Sequence, residues 1–359
     1  MKQRFAYGGQ AVIEGVMIRG AKFVSLAVRR PNGEIFTQCD PLAGLYTGKA
    51  RRIPLVRGIV VLGETLQLGM KALNRSAIVA TTQDAGKDGE PIKEPPKWLF
   101  SLTMLFSLAF GIAIFMVTPL ALVHFVDPYI DRMFGTGAFA DFASNMVEGL
   151  IRLAILVGYV GIIGLMPDIK RVYAYHGAEH MAVHAHENGD PLDVEHVRPY
   201  PTAHPRCGTA FLLTVMLVSV LVFAFLGRPP FLLRMLSRVA LVPVIAAVAY
   251  EVIRWSGMYR KNPLVHLLTA PSLWLQQLTT RRPDDDQIRV AIRAMEVAVA
   301  ADEGRAAPPG TPATPIAPEP TQPQATTTPT PPPSHLAPPE GPVPHRNLPS
   351  ANGHQETTR

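Results

Sequence analysis

Tyr175-His176-Gly177-Ala178-Glu179-His180-Met181-Ala182-Val183-His184-Ala185-His186-Glu187 is a histidine-rich stretch set between two long apolar runs. It holds four of the chain's eleven histidines and two of its glutamates. The apolar run before it ends at Met166, and the one after it begins at Cys207. A helix needs roughly 20 apolar residues, at a rise of about 1.5 Å each, to cross a bilayer. Both runs approach that length. The stretch is therefore expected at a membrane face, with the chain's chemistry gathered there.

Composition agrees. Charged residues make up 17% of the chain, against roughly 25% in soluble domains. Apolar residues make up 48%, and mean hydropathy is +0.16. The net charge of +6 and pI of about 9.4 fit cytoplasmic-loop lysines and arginines in a membrane protein. No basic residues alternate with aromatics on one face, so a nucleic-acid partner is excluded. Two cysteines, Cys39 and Cys207, do not make a disulfide framework. Met1-Lys2-Gln3-Arg4-Phe5 leads into Gly8-Gly9 without an apolar core. No cleavable signal peptide is expected, and the first spanning helix would serve as an internal signal.

Outward from the histidines, four apolar runs are read as spans: about 98–126, 146–166, 207–226 and 231–253. The fourth carries Arg234 and Arg238 near its start and Pro243 in its middle, so a kink is expected there. The fold class is thus membrane, mainly α, with about four transmembrane helices. A small N-terminal α+β cytoplasmic unit precedes them, and a disordered Pro-rich tail follows. In that unit Asn32-Gly33 lies between two β-prone runs, which is a hairpin signal because a type I′ turn needs two positive φ values. From Pro54 to about Ala80 the residues Leu55, Ile59, Leu62, Leu66, Met70 and Leu73 recur at helical spacing. A helix packing that stripe on a core is preferred to one lying in the membrane interface.

The expected organisation is a hairpin-plus-helix unit over 1–80, a linker over 81–97 and a transmembrane domain over 98–255, with a His-rich cytoplasmic loop at 167–206. Interfacial and C-terminal helices fill 256–301, and the tail runs over 302–359. Within 256–301, the segment from Leu264 to Leu278 is too short to span and reads as interfacial, with Trp274 at headgroup level. Pro283-Asp284-Asp285-Asp286 opens the last helix, its acids suiting the positive end of the helix dipole. Basic residues favour a cytoplasmic position for the N-terminal region, the 167–206 loop and the segment after the fourth run. The chain is then expected to be a multi-pass membrane protein with both termini in the cytoplasm. Arg228, in a short loop that would lie outside, runs against this pattern.

On a helix, His176 and His180 stand one turn apart on one face, with Glu179 beside them. Two imidazoles at that spacing can chelate a divalent ion, zinc foremost, and the carboxylate can take a proton from water bound to it. His176-x-x-Glu179-His180 is the inverted form of a zinc-protease pattern. Under the four-span topology His204-Pro205-Arg206-Cys207 and Tyr250-Glu251 reach the same face. His204, Cys207 and Glu251 are candidates to complete the metal shell. Arg206 is a candidate for neutralising a carboxylate or holding an anionic substrate. Glu187 ranks behind Glu179, and His186 points elsewhere.

Several motifs together resemble the bacterial YqhQ-like family. They are Gly8-Gly9-Gln10-Ala11-Val12-Ile13-Glu14-Gly15-Val16-Met17, Tyr175-His176-Gly177-Ala178-Glu179-His180, His204-Pro205-Arg206-Cys207-Gly208-Thr209, and Leu278-Thr279-Thr280 with Pro283-Asp284-Asp285. That family is one of unknown function, described as predicted metal-dependent membrane enzymes. The resemblance spans roughly residues 5–300 and implies a metal, but no substrate.

The function these residues point to is a zinc-dependent hydrolase at the cytoplasmic membrane face, acting on a peptide or lipid. Metal ligands are His176 and His180 with Glu251 or His204, and Glu179 is the base. A closed structural site of His180, His184, His204 and Cys207 in a scaffold or assembly protein is the alternative. A transporter is the third reading. Against it, the apolar runs show ionisable residues only near their ends, whereas transporters place sites near the midplane.

Overall fold

Period-two alternation builds the N-terminal sheet. In the computed structural model, which describes residues 7–43, 48, 53–81, 97–205, 207–258 and 262–305, four strands form an antiparallel meander. These are β1 (Gly8–Val12), β2 (Gly15–Arg19), β3 (Phe23–Arg29) and β4 (Ile35–Pro41), in that spatial order. Val16, Ile18 and Ala27 face one side, and Val12, Met17, Leu26 and Val28 the other, as a pleated strand requires. The Asn32-Gly33 hairpin is present, with a loop over 30–34 in place of a two-residue type I′ turn. Gly33 alone there takes a positive φ, +86°, while Arg30 N–H donates to Glu34 O and Gly33 N–H to Arg30 O.

Both faces of the sheet are covered. Helix α1 (Val56–Thr81) packs Ala72 and Val79 on the Met17 side. The Val16 side meets Tyr175, Ala178 and Ala182 of one helix and Val290, Ala294 and Met295 of another. The sheet is therefore completed by segments far away in sequence. Helix α1 also turns the other way round from expectation. Its buried residues are Gly58, Glu64, Gly69, Ala72, Ser76 and Val79, while Leu55, Ile59, Leu66 and Leu73 are exposed. The cause is close approach. A Cβ on Gly69 would come within 2.4 Å of Gln10 Oε1, and one on Gly58 within 2.7 Å of Ala247 Cα. Glu64 is held inside by Arg19, whose Nε and Nη2 donate to it at 3.0 and 2.9 Å.

Helix α2 (Lys97–Ile112) passes through one π-helical turn (Ala113–Val117) into α3 (Thr118–Phe134), and α4 (Ala138–Ile163) returns. Ser101–Phe134 and Ala138–Ile163 are long and apolar enough to cross a membrane. Further on come α5 (Pro167–Asn188), the short α6 (Val194–Val197), α7 (Gly208–Ala224), α8 (Phe231–Ala240), α9 (Val242–Met258), α10 (Pro263–Thr279) and α11 (Asp285–Asp302). Four full spans are not found among the described residues. Helix α7 is apolar but only 17 residues long, and the fourth run is broken by a 44° bend between α8 and α9. Pro243, at the second position of α9, has no N–H to give to the preceding turn, so the helix breaks just before it. Two spans result, or three if the bent pair counts as one.

One correction concerns charge. Taken from about Met146, the second apolar run has Glu148 and Arg152 near its start. The helix begins at Ala138, so both stand well inside it, and both are fully buried. Helix α10, expected at the interface, packs Leu278 against Leu156, Val160 and Met216 of α4 and α7. The last helix starts as its sequence says: Asp284 caps it in a box with Gln287, whose N–H donates to Asp284 Oδ1 at 2.8 Å. The linker over 82–96, Arg206 and the tail from 306 onward lie outside the described residues.

Candidate metal centre

Helix α5 begins with Pro167 in its first turn and ends at Gly189, which adopts φ +81°, in keeping with proline at starts and glycine after ends. Its middle is buried nearly all round, from Ala174 to Ala185 with few breaks. Polar side chains there must find partners. Two ties fix its position. Arg171 donates through Nε and Nη2 to Glu14, each at 2.5 Å, from outside the sheet turn. Arg281 N–H donates to Tyr173 O at 2.9 Å. Gly177 makes the second approach possible, since a Cβ there would lie 2.2 Å from Arg281 O.

This frame orients the histidines. His176 Nδ1 donates to Thr279 O at 2.8 Å, and His180 Nδ1 donates to Thr202 O at 2.5 Å. A carbonyl can only accept, so each ring carries its proton on Nδ1 and presents a bare Nε2. Cys207 Sγ stands 3.0 Å from His176 Nε2 and donates to it as a thiol. Cys207 caps α7, and its sulfur accepts from Thr209 N–H at 3.3 Å. His180 Nε2 is buried without a hydrogen bond, and Glu179 Oε2 lies 3.5 Å away. The ligand atoms of His176, His180 and Cys207 all fall within 4.8 Å of one another. Tetrahedral zinc, with bonds of about 2.3 Å to sulfur and about 2.1 Å to nitrogen, spaces such atoms roughly 3.5 Å apart. The orphaned Nε2 and the donor set fit a metal of that kind.

Glu179 lies fully inside, against β1. A Cβ on Gly9 would sit 2.8 Å from its Cγ, and Gly9 N–H donates to its carboxylate. Burial pushes the carboxyl up, against the pull of His176, His204 and that N–H. Burial also drives His180 down, against the Cys207 sulfur and the Thr202 carbonyl, which favours the neutral ring a metal ligand needs.

His204 is close by, but it faces the other way. Its ring lies 5.7 Å from that of His180 and 4.6 Å from that of His184, and its Nε2 stands 3.6 Å from Glu187. His184 Nε2 donates to Ala203 O at 3.0 Å, so the closed set of His180, His184, His204 and Cys207 is not assembled. His186 points away, edge-on to Tyr7. Glu251 is not brought to the cluster either. Its carboxylate takes Arg57 Nε at 2.7 Å and Leu55 N–H at 3.1 Å, because α9 packs on α1 through Gly58. Sequence reasoning missed Gln276, fully buried on α10, which accepts from His204 N–H and donates to His204 O at 2.8 and 3.0 Å. It also missed the Thr202 and Thr279 carbonyls, which as backbone groups leave no mark in a sequence.

The family model described as protein of unknown function (DUF1385) matches residues 53–301. The chain belongs to this family. A similar relative is the uncharacterized protein YqhQ of Bacillus subtilis (strain 168), 35% identical over 298 residues, covering 80% of this chain and 91% of the relative. The YqhQ-like resemblance read from the motifs is thereby shown. No solved structure matches. The family match covers every donor of the cluster, His176, His180 and Cys207, and stops at the end of α11. Gly9, which shields Glu179, lies before it.

Proposed function

We propose that the chain is an integral membrane protein of the bacterial inner membrane that holds zinc on His176, His180 and Cys207, and that it is a hydrolase at the cytoplasmic face. One observation carries the reading. Both histidines give Nδ1–H to backbone carbonyls, so both bare Nε2 atoms are left to the Cys207 side. Three protein ligands are the number found in catalytic zinc sites, whereas structural sites use four. Zinc bound there would supply Lewis acidity toward water or a carbonyl. Glu179, whose carboxylate lies 3.5 Å from His180 Nε2, would take a proton from water there. Its burial beside Gly9 fixes its orientation and excludes bulk water from it.

The bilayer is the partner that the apolar helices, the exposed Leu55 and the exposed Ile59, Leu66 and Leu73 stripe of α1 would share. A peptide or lipid reaching that surface is the substrate class. Both termini are assigned to the cytoplasm by the basic residues of the N-terminal region and of the 167–206 loop. The metal cluster rests on α5, which is not among the apolar spans, so it does not favour transport.

The experiment is metal analysis of detergent-purified full-length protein. About one zinc per chain is expected, retained in Glu179→Gln and lost in His180→Ala and Cys207→Ser. Metal that survives Cys207→Ser and His180→Ala together refutes the site. Glu179→Gln should also abolish any hydrolysis that the wild type supports, and full activity in that variant refutes the base.

A further inference from the structure

The membrane helices contain a second concentration of charge that the metal site does not use. We infer that Arg152, Arg234 and Arg238 form a binding site for one phosphate-type oxyanion, inside the helix bundle and separate from the metal centre.

Depth makes the cluster unusual. Glu148 stands ten residues into α4 and Arg152 fourteen, roughly 15 and 21 Å along a helix of 1.5 Å rise. The hydrocarbon core is about 30 Å thick, so on a spanning α4 both lie far from either end. Glu148 and Arg238 are 0% exposed, Arg152 1% and Arg234 5%. Ionisable groups at such depth are costly unless compensated, and they mark functional sites by default.

The known partners do not complete the compensation. Glu148 meets Arg152 at 2.6 Å, Arg234 at 2.8 Å and Arg238 at 3.1 Å. Asn145 Oδ1 accepts from Arg234 and Arg238, and Ser144 Oγ accepts from Arg234. Arg152 Nε donates to Phe115 O at 2.9 Å, in the π-helical turn, a feature that gathers at functional sites. The Phe223 ring has the guanidinium carbons of Arg152 and Arg238 at 5.2 and 4.4 Å. After all of these, Arg152 Nη1, Arg234 Nε and Arg238 Nη1 are each buried without a hydrogen-bond partner.

Charge tells the same story. Three guanidinium groups meet Glu148 and, through Arg234, Asp127, which leaves an excess of one positive charge at this level. Asp127 is the nearest further acid, 3.7 Å from Arg234. It also serves Arg228, together with Asp131 and Asp141, in a partly exposed layer at the helix ends. That outer layer carries the opposite excess and leaves the inner donors unmet. A purely structural lock would leave no buried N–H open, since each open one carries a desolvation cost. Guanidinium groups match the oxygens of phosphate in geometry and charge. The shared chemistry is a phosphate group, from a lipid headgroup or from free inorganic phosphate.

The test uses full-length protein purified into phosphate-free detergent and exhaustively exchanged. Two readouts are taken: phosphorus per chain, separated into lipid-extractable and water-soluble fractions, and Tm with inorganic phosphate against chloride of equal ionic strength. One retained phosphorus per chain, or a saturable rise in Tm specific to phosphate, is expected. Extractable phosphorus assigns the source to lipid, and soluble phosphorus with the Tm response assigns it to the free ion. Arg234→Lys keeps the charge and removes Nε, and Arg238→Gln removes a donor pair. Both should lose the retained phosphorus and the phosphate response while zinc content is unchanged. Wild-type protein with no phosphorus and equal responses to phosphate and chloride overturns the proposal. So does a phosphate response that survives in Arg234→Lys, which does not depend on Arg238→Gln folding.

Discussion

Replacing Gly9 by alanine tests how the sheet supports the site. A Cβ at this position would lie 2.5 Å from Met17 O, 2.8 Å from Glu179 Cγ and 2.8 Å from Ile18 Cδ1. All three distances are shorter than real Cβ contacts allow, and the Met17 oxygen is backbone within the β1–β2 ladder. Overpacking a tight site costs about 1–3 kcal/mol. Displacing Glu179 also stretches its bond from Gly9 N–H, and a hydrogen bond to a charged group contributes about 1.5–3 kcal/mol. The two are not additive, because one shift relieves both, so a loss of about 3 kcal/mol is expected. At about 1.4 kcal/mol per decade, that lowers the folded-to-unfolded ratio about a hundredfold. Thermal or denaturant unfolding in detergent measures it. Gly8→Ala is the internal control, since a Cβ there meets nothing within 4 Å. In the double variant Gly9→Ala with Glu179→Ala the Cγ contact is gone and only the Met17 and Ile18 contacts remain. A favourable coupling of about 1 kcal/mol should appear between neighbours of this kind. Gly9→Ala as stable as Gly8→Ala would refute the packing argument.

Gln276→Leu should cost about 2–4 kcal/mol, because it strips partners from both the N–H and the C=O of buried His204; an unfolding midpoint unchanged from wild type contradicts this. Glu251→Gln should leave zinc content untouched and lower stability by about 1 kcal/mol or less, as its Arg57 pair is partly exposed. Loss of metal in that variant would restore Glu251 as a ligand. For Glu14, burial pushes the carboxyl up, but the doubly bonded Arg171 outweighs it and holds the group below its usual range. Its contribution is present above the unfolded value and is lost as pH falls through the lowered folded one. Glu14→Gln should therefore flatten the acid side of a Tm-against-pH curve, and an unaltered slope argues against the pair.

How much of this was legible beforehand depends on whether a feature is local. His176 and His180 at helical spacing, the Asp284 cap and the Asn32-Gly33 hairpin are set within a few residues, and each is found. The break before Pro243 is local too. The Glu251 reading failed because it needs to know which helices face one another. Gly58 and Gly69 decide that by letting α1 approach Ala247 and Gln10. The stripe on α1 is expected inward because a helix normally buries its large apolar residues, and the close approach at Gly58 and Gly69 puts the glycine face inside instead. Glu148 and Arg152 were missed for a related reason. Asp141, Asn145 and Glu148 dilute the hydropathy of the first half of α4, and so hide the start of the helix in which they are buried.

The central claim is a zinc site built from two Nε2 atoms and one sulfur. X-ray absorption at the zinc edge, on protein as purified, tests it most directly. The account predicts a first shell with one sulfur at about 2.3 Å and the remainder nitrogen or oxygen at about 2.0–2.1 Å, with the sulfur lost in Cys207→Ser. A shell without sulfur in the wild type, a shell with more than one sulfur, or protein that binds no zinc would contradict it.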